Sequence, residues 1–491
     1  MPLQRGVVIA QWLFPSLVAI LVAWMIQKKG FSVLPSSLFV SFFSSSPLSP
    51  PISSKKASTE IVVGRLDNSD YLYATWVIGD LHGDVDCAKY WVEKTGLIKT
   101  TTTTISSNDN GNGNDMNEEN DDGNDDDDNE SIQRIQEKKV WTDPTSHLVF
   151  MGDYVDKGPQ SRQVIEFVKS LTDEFPLHVT ALMGNHEMEL LLDRNEQRWN
   201  QQQQQGGWGP GTGYFGLAYS SVHPGEYLNY VANKNNKNDA SDTTTKPDEY
   251  NDTMIVEILY NVSAEVYGHQ LHQTLRLAPE DQVGAEISAL KFITDAALRK
   301  QVSERLKEFQ SAYLDTYRSD TELGQWLERR PIVAQINDTI FVHGGISNYG
   351  SALLRQDGVD NINELFFNNS HETKLLEFMT KTQRGQIMYD MLTFRGNHKP
   401  DACTAMEHLL PEGATKLGVG HTPGKNVRIM CNGNFFAIDS SLGRWFRNSG
   451  NLYCTHPVTS SNGHYVCQEK VDRCEGQIIK LTATAPAEII Q

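Results

Sequence analysis

The chain has 491 residues, enough for two or three domains' worth of core, yet apolar residues make up only 39% of it, short of the usual ~45–50%. The shortfall lies in runs of Asn, Asp, Gln, Ser and Thr, which predicts a globular body carrying polar insertions rather than a uniformly polar chain. The formal charge of −19, eleven acids without a base in Asp109–Glu130, and the lack of a basic stripe exclude a nucleic-acid partner, while six cysteines exclude a disulfide-built scaffold.

From the N-terminus, Val7–Ile26 is apolar apart from Gln11, Pro15 and Ser16. As a helix it matches the ~30 Å of a bilayer core, so it reads as a signal anchor or the core of a signal peptide within residues 1–30. Arg5 before it and Lys28-Lys29 after it leave the orientation open. Phe31–Thr59 then holds eleven serines and no acid, a linker or transit-like segment over 31–60. These features predict a membrane-anchored or secretory-pathway protein, held to the membrane if the segment is uncleaved, or alternatively one delivered to a plastid.

Residues 61–491 are expected to form one domain with low-complexity insertions near 100–138 and 197–253. Thr100–Glu130, Gln201–Gly216 and Lys234–Asp252 lack hydrophobic periodicity and bury too little to offset the entropy of ordering. The acidic run is no EF-hand, because Asp109–Asn120 has neither Gly sixth nor Glu twelfth. Around these insertions Thr75–Ile78, His147–Met151, Val179–Met183, Thr339–Val342 and Leu417–Val419 read as strands, and Ser161–Leu171 as an amphipathic helix. The alternation predicts an α/β sandwich, β-rich after Gly420, with a mainly helical insertion near 254–327.

Each of those strands ends on glycine and metal-ligand residue types. The series runs Gly79-Asp80-Leu81-His82-Gly83, Gly152-Asp153-Tyr154-Val155-Asp156-Lys157-Gly158, Gly184-Asn185-His186-Glu187, His343-Gly344-Gly345 and Gly420-His421-Thr422. One such turn is commonplace. Five in succession, on the strand ends where open sheets place their sites, point to a mixed O/N ligand set, Asp80, His82, Asp153, Asn185, His343 and His421, able to hold two divalent ions of Mn, Fe or Zn type.

This order of motifs resembles the calcineurin-like metallophosphoesterases, specifically the phosphoprotein phosphatase group. Trp326–Ser347, VGHTP at Val419–Pro423 and AIDSSLG at Ala437–Gly443 look most like its Shewanella-like branch. The resemblance implies a four-layer αββα sandwich flanked by helices. It implies that Asp80, His82 and Asp153 hold one ion, and that Asp153 bridges to a second held by Asn185, His343 and His421. It also implies that His186, paired with Asp156, is the general acid and that Arg395 grips phosphate. Lys157 stands where the family usually has arginine; it keeps the charge and loses the planar fork.

The chemistry asks for the same parts. Two cations activate a water bridging them and neutralise phosphoryl oxygens in an in-line displacement, and the leaving group then takes a proton from His186. The expected activity is phosphate monoester hydrolysis on a phosphoprotein carrying phosphoserine, phosphothreonine or phosphotyrosine. The alternatives are a dinucleoside polyphosphate hydrolase, which GDYVDKGPQS also resembles, and an inactive membrane-held scaffold. A cysteine phosphatase is excluded, since Cys467 to Arg473 lacks the glycines of a phosphate loop and carries Glu469 and Asp472. Cys431, Cys454, Cys467 and Cys474 lack zinc spacing and would pair only in an oxidising compartment, while Cys87 reads as a buried free thiol.

Overall fold

The computed structural model describes residues 74–106, 133–195, 222–230, 251–259, 293–399, 401–444, 447, 457–459, 465–467 and 472–491. The chain divides into two units, Met1–Ile61 and Val62–Gln491, and every described residue belongs to the second. The apolar stretch Val7–Ile26, the Ser-rich segment after it, the acidic run Asp109–Glu130 and Gln201–Gly216 lie outside the described residues. Among the described residues no helix is long and apolar enough to cross a membrane.

The strands are, in chain order, β1 Ala74–Ile78, β2 Ile98–Ser106, β3 Gln133–Trp141, β4 Ser146–Phe150, β5 Val179–Ala181, β6 Val333–Ile336, β7 Thr339–Val342, β8 Lys416–Val419, β9 Arg428–Met430, β10 Phe435–Ala437, β11 Pro457–Thr459, β12 Tyr465–Cys467, β13 Ile478–Thr482 and β14 Glu488–Ile490. One sheet has the order β14-β13-β1-β4-β5 and the other β6-β7-β8-β10-β9. β1, β4 and β5 run parallel, as do β7, β8 and β10, so each sheet gathers three carboxyl ends on one edge.

Alternation along the strands builds the layers. Val77, Val149, Ile479 and Leu481 of the first sheet share a buried core with Phe341, Phe436, Ala334 and Ile336 of the second. Their neighbours Ile78, Leu148, Phe150, Ile340, Val342 and Phe435 point the other way, into a core shared with helical residues such as Trp91, Val164, Leu353 and Met388. Each side chain so buried contributes about 1.5–3 kcal/mol. This is the four-layer αββα arrangement expected from the sequence. The helices are α1 Val85–Thr95, α2 Ser161–Glu174, α3 Asn185–Asp193, α4 Ala296–Thr316, α5 Glu322–Glu328, α6 Asn348–Asn369, α7 Glu372–Lys381, α8 Gln383–Thr393 and α9 Ala402–Leu409; residues 252–259 are helical too.

Two expectations need correction. The threonine run is not all irregular insertion: Thr100–Ser106 belongs to β2, paired antiparallel with β3 from Ile98 opposite Trp141 to Ser106 opposite Gln133. Threonine is β-branched and fits a strand without any apolar alternation to announce it. Cys87 is not a free thiol, since it forms a disulfide with Cys474, and Cys403 forms one with Cys431. Its partner lies 387 residues away, a separation no local pattern reveals.

Candidate active site

The carboxyl ends of both sheets converge, and the loops that leave them are stitched together by backbone. Leu81 and His82 donate their amides to Asp153 O at 3.1 and 2.9 Å, Gly83 donates to Tyr154 O at 2.9 Å, and Gly420 donates to His343 O at 2.8 Å. Gly152 needs to be glycine twice over, for its φ of +95° and because a Cβ there would meet Gly184 N at 2.6 Å. Among the described residues nine non-glycines have positive φ, and five of them are His82, Asp153, Asp156, Lys157 and His421. Backbone strain concentrates where ligand-type side chains must be aimed inward.

Asp153 stands at the centre, buried. Its Oδ2 lies 3.7 Å from His82 Nε2 and 3.8 Å from His186 Nε2, while its Oδ1 lies 3.2 Å from His343 Nε2. Ligand atoms of His82, Asp153 and His186 gather within 4.8 Å of one another, and so do those of Asp153, His343 and His421. Asn185 joins the second group, its Oδ1 3.1 Å from His343 Nε2 and 2.7 Å from His421 Nδ1. Asp80 belongs to neither triad; its carboxylate accepts the amide of His421 at 3.1 and 3.3 Å.

Backbone carbonyls set the imidazole tautomers. His82 Nδ1 donates to Val155 O at 3.2 Å and His343 Nδ1 to Met151 O at 2.7 Å, which turns both Nε2 atoms toward Asp153. Burial opposes charge on His343, but the Asp153 carboxylate outweighs it and holds the imidazole up at about 10. Burial, then facing His343, pushes His421 down to about 2. Burial would raise Asp153, yet the imidazoles of His343, His186 and His82 hold it well below the usual carboxylate range. Burial and the charge of Asp439 push Asp80 well above that range.

His186 is oriented from its far side. Nδ1 donates to Asp156 Oδ2 at 2.6 Å, and its amide donates to Asp153 Oδ1 at 3.1 Å. Lys157, half-buried, brings Nζ to 3.2 Å from His82 Nε2. Arg395 is exposed, and its Nη1 donates to His421 O at 3.0 Å and Thr422 Oγ1 at 3.1 Å. The fold thus brings all ten residues singled out in the sequence together where the carboxyl ends of the two sheets meet.

Two contributors carried no role in the sequence. Glu187 accepts the amides of Asp153, Tyr154, Val155 and Gly184 at 2.8, 2.6, 3.0 and 3.0 Å, and so fixes the loop that presents Asp153. Burial, with Asp153 nearby, pushes Glu187 up to about 7. Asp439, just after β10, is a further buried carboxylate of a group that already holds Asp80, Asp153, Asp156 and Glu187. It lies in the AIDSSLG stretch that carries the resemblance, directly after an apolar strand, and those two signals could have found it.

Residues 73–274 match the family model of the calcineurin-like phosphoesterases. This stretch of the chain is similar to a calcineurin-like phosphoesterase domain. The matched stretch carries Asp80, His82, Asp153, Asn185 and His186 and ends before His343, Arg395 and His421, which the fold of the domain returns to the same place. Among solved structures, the chain is similar to the cold-active protein-tyrosine phosphatase of a psychrophilic Shewanella species, at 18% identity and TM-score 0.44 over 90% of this chain and 87% of that one. It is also similar to a protein serine/threonine phosphatase from Saccharomyces cerevisiae, at 12% identity and TM-score 0.34 over 87% of this chain and 82% of that one.

The donor set of the site fits divalent cations. It offers buried carboxylates, of which Asp80 is raised first by burial and then by the charge of Asp439, and imidazoles with Nε2 turned inward. The nearest ligand atoms are 2.7–3.7 Å apart, close to the ~3 Å that separates two ligands each ~2.1 Å from one ion.

Proposed function

We propose that this protein hydrolyses phosphate monoesters with two divalent ions, Mn or Fe/Zn, and that its substrates are phosphoproteins. The carrying observation is Asp153, whose two oxygens face different imidazoles, Oδ2 toward His82 and His186 and Oδ1 toward His343, which would suit a carboxylate shared by two cations. In this reading Asp80, His82 and Asp153 hold one ion, and Asp153, Asn185, His343 and His421 the other. The ions, when bound, supply Lewis-acid activation of water and of the phosphoryl group.

The remaining work falls to side chains. His186, held at Nδ1 by Asp156, presents Nε2 to the centre and protonates the departing alkoxide or phenolate. Arg395, braced on His421 O and Thr422, grips phosphoryl oxygens from the exposed side, and Lys157 adds positive charge from the buried side. The preference for phosphoproteins rests on the order of the five motifs and on Trp326–Ser347, which resemble the phosphoprotein phosphatase group.

The test is turnover by the full chain, loaded with Mn or with Fe and Zn, of phosphopeptides against diadenosine tetraphosphate. Phosphopeptide turnover in clear excess is expected. Preference for the dinucleotide would replace the substrate assignment, and stoichiometric metal without turnover of either would leave an inactive scaffold.

A further inference from the structure

The segment between Asn185 and His343 is the long insertion of the sequence, and one of its residues reaches the catalytic loop. Glu226, in the short turn Pro224–Tyr227, is fully buried. Its Oε2 accepts the amide of Ser161 at 2.6 Å, and its Oε1 accepts the amide of Arg162 at 3.1 Å and the Tyr230 hydroxyl at 3.0 Å. These are the first amides of α2, a helix whose own Gln160 makes no side-chain cap and whose first turn has no acid. A carboxylate from 65 residues away does the capping.

The chain of contacts continues inward. Ser161 Oγ accepts the amide of Asp156 at 3.0 Å, and Asp156 Oδ2 accepts His186 Nδ1 at 2.6 Å. Asp156 and Lys157 have φ of +70° and +65°, so the loop is held in a conformation it would relax from if released. The insertion is anchored at several points around Glu226. Asn229 Nδ2 donates to Pro159 O at 3.0 Å, the hydroxyls of Tyr230 and Tyr317 lie 2.7 Å apart, and Tyr227 is buried against Phe309 and Tyr313 of α4.

We propose that Glu226 is a positioning residue for the acid step: through Ser161 and Asp156 it fixes the imidazole of His186, so that the insertion, remote in sequence from the metal-ligand motifs, sets the efficiency of leaving-group protonation. This rests on the monoesterase reading above. Glu226 touches neither phosphate nor cation, so its loss should act on protonation alone. Glutamine at 226 turns an N–H₂ toward an amide donor and breaks one side of the cap.

The experiment compares full-chain wild type, Glu226→Gln and Ser161→Ala on an alkyl phosphate and on p-nitrophenyl phosphate, with melting temperature and the downfield proton resonance of His186 Nδ1 as readouts independent of turnover. The expected result is a fall in kcat of about tenfold on the alkyl ester, a fraction of the ~10²–10⁴ that a positioned acid supplies, with KM and p-nitrophenyl phosphate turnover near wild type. The Nδ1 proton should broaden or vanish in both variants. Equal losses on the two esters, or an unchanged Nδ1 resonance in folded variants, would overturn the proposal. Ser161→Ala, which removes only a hydroxyl, decides the matter if Glu226→Gln fails to fold. A wild type inactive on both esters would sink the monoesterase reading while the resonance still tests the positioning.

Discussion

Lys157 Nζ lies 3.2 Å from His82 Nε2, on the lone pair that the Nδ1 bond to Val155 O leaves turned toward Asp153. The lysine therefore sits inside the centre rather than in solvent, and burial pushes its ammonium below the usual range. A cation on His82 and this ammonium compete for the same lone pair. Lys157→Ala should tighten divalent binding, because it removes a positive charge beside the site. The same change should weaken inhibition by inorganic phosphate roughly ten- to a hundredfold, the scale of one charge-assisted hydrogen bond. Calorimetric metal titration and phosphate inhibition constants check the two arms; no change in either would mean that the lysine only fills space.

The proton on His343 predicts how metal loading responds to pH. Its folded pKa, about 10, is raised above the ordinary 6.5 by Asp153 despite burial. In the metal-free chain this stabilises the fold below about 6.5 and is lost as pH rises toward about 10, because the folded state keeps a proton there that the unfolded chain has released. A divalent ion on Nε2 must displace that proton, so loading at pH 7 should release protons and apparent affinity should rise with pH. Asp153→Asn removes the carboxylate that both groups share and should lower metal content and turnover together. Two ions retained with normal turnover would refute the bridging role.

The site was legible because its ligands follow short apolar runs: β7 begins and ends at Thr339 and Val342 as expected, and His343 follows directly. What escaped was whatever acts across long separations without a local pattern. Glu187 is the last residue of a recognisable motif, yet its bonds to Asp153, Tyr154 and Val155 lie more than thirty residues away. Glu226 sits in no motif at all. The β2 strand failed for a different reason, since threonine favours extended backbone without marking an inward face.

The disulfide between Cys87 and Cys474 ties the amino end of α1 to the segment leading into β13, the strand paired with β1. A closure of 387 residues restricts the unfolded chain strongly, and removing such a native crosslink costs about 2–5 kcal/mol. Cys474→Ser should lower the melting temperature and remove most of the sensitivity to a reductant. An unchanged melting temperature under non-reducing conditions would show that the bond contributes nothing to stability.

His186→Ala removes a proton donor whose Nδ1 partner is Asp156, so kcat on alkyl phosphates should fall by ~10²–10⁴. An aryl phosphate with a good leaving group should lose far less. Metal analysis has its own part here, because His186 Nε2 also lies 3.8 Å from Asp153 Oδ2 and shares a ligand-type triad with His82. An acid leaves metal content intact when removed; a ligand does not.

Arg395 offers the clearest separation of binding from chemistry. Its Nη1 is occupied by His421 O and Thr422 Oγ1, which leaves the rest of an exposed guanidinium to meet phosphoryl oxygens. One charge-assisted bond contributes ~1.5–3 kcal/mol, so Arg395→Ala should raise KM roughly ten- to a hundredfold and weaken phosphate inhibition in parallel. Arg395→Lys should recover little, because an ammonium cannot brace on His421 O and reach phosphate at once. Metal content should stay at the wild-type level, since the arginine touches only the main-chain oxygen of His421 and not its imidazole. If the alanine variant instead loses metal while KM for the remaining active fraction is unchanged, Arg395 serves to hold the His421 loop and the phosphate grip falls to Lys157.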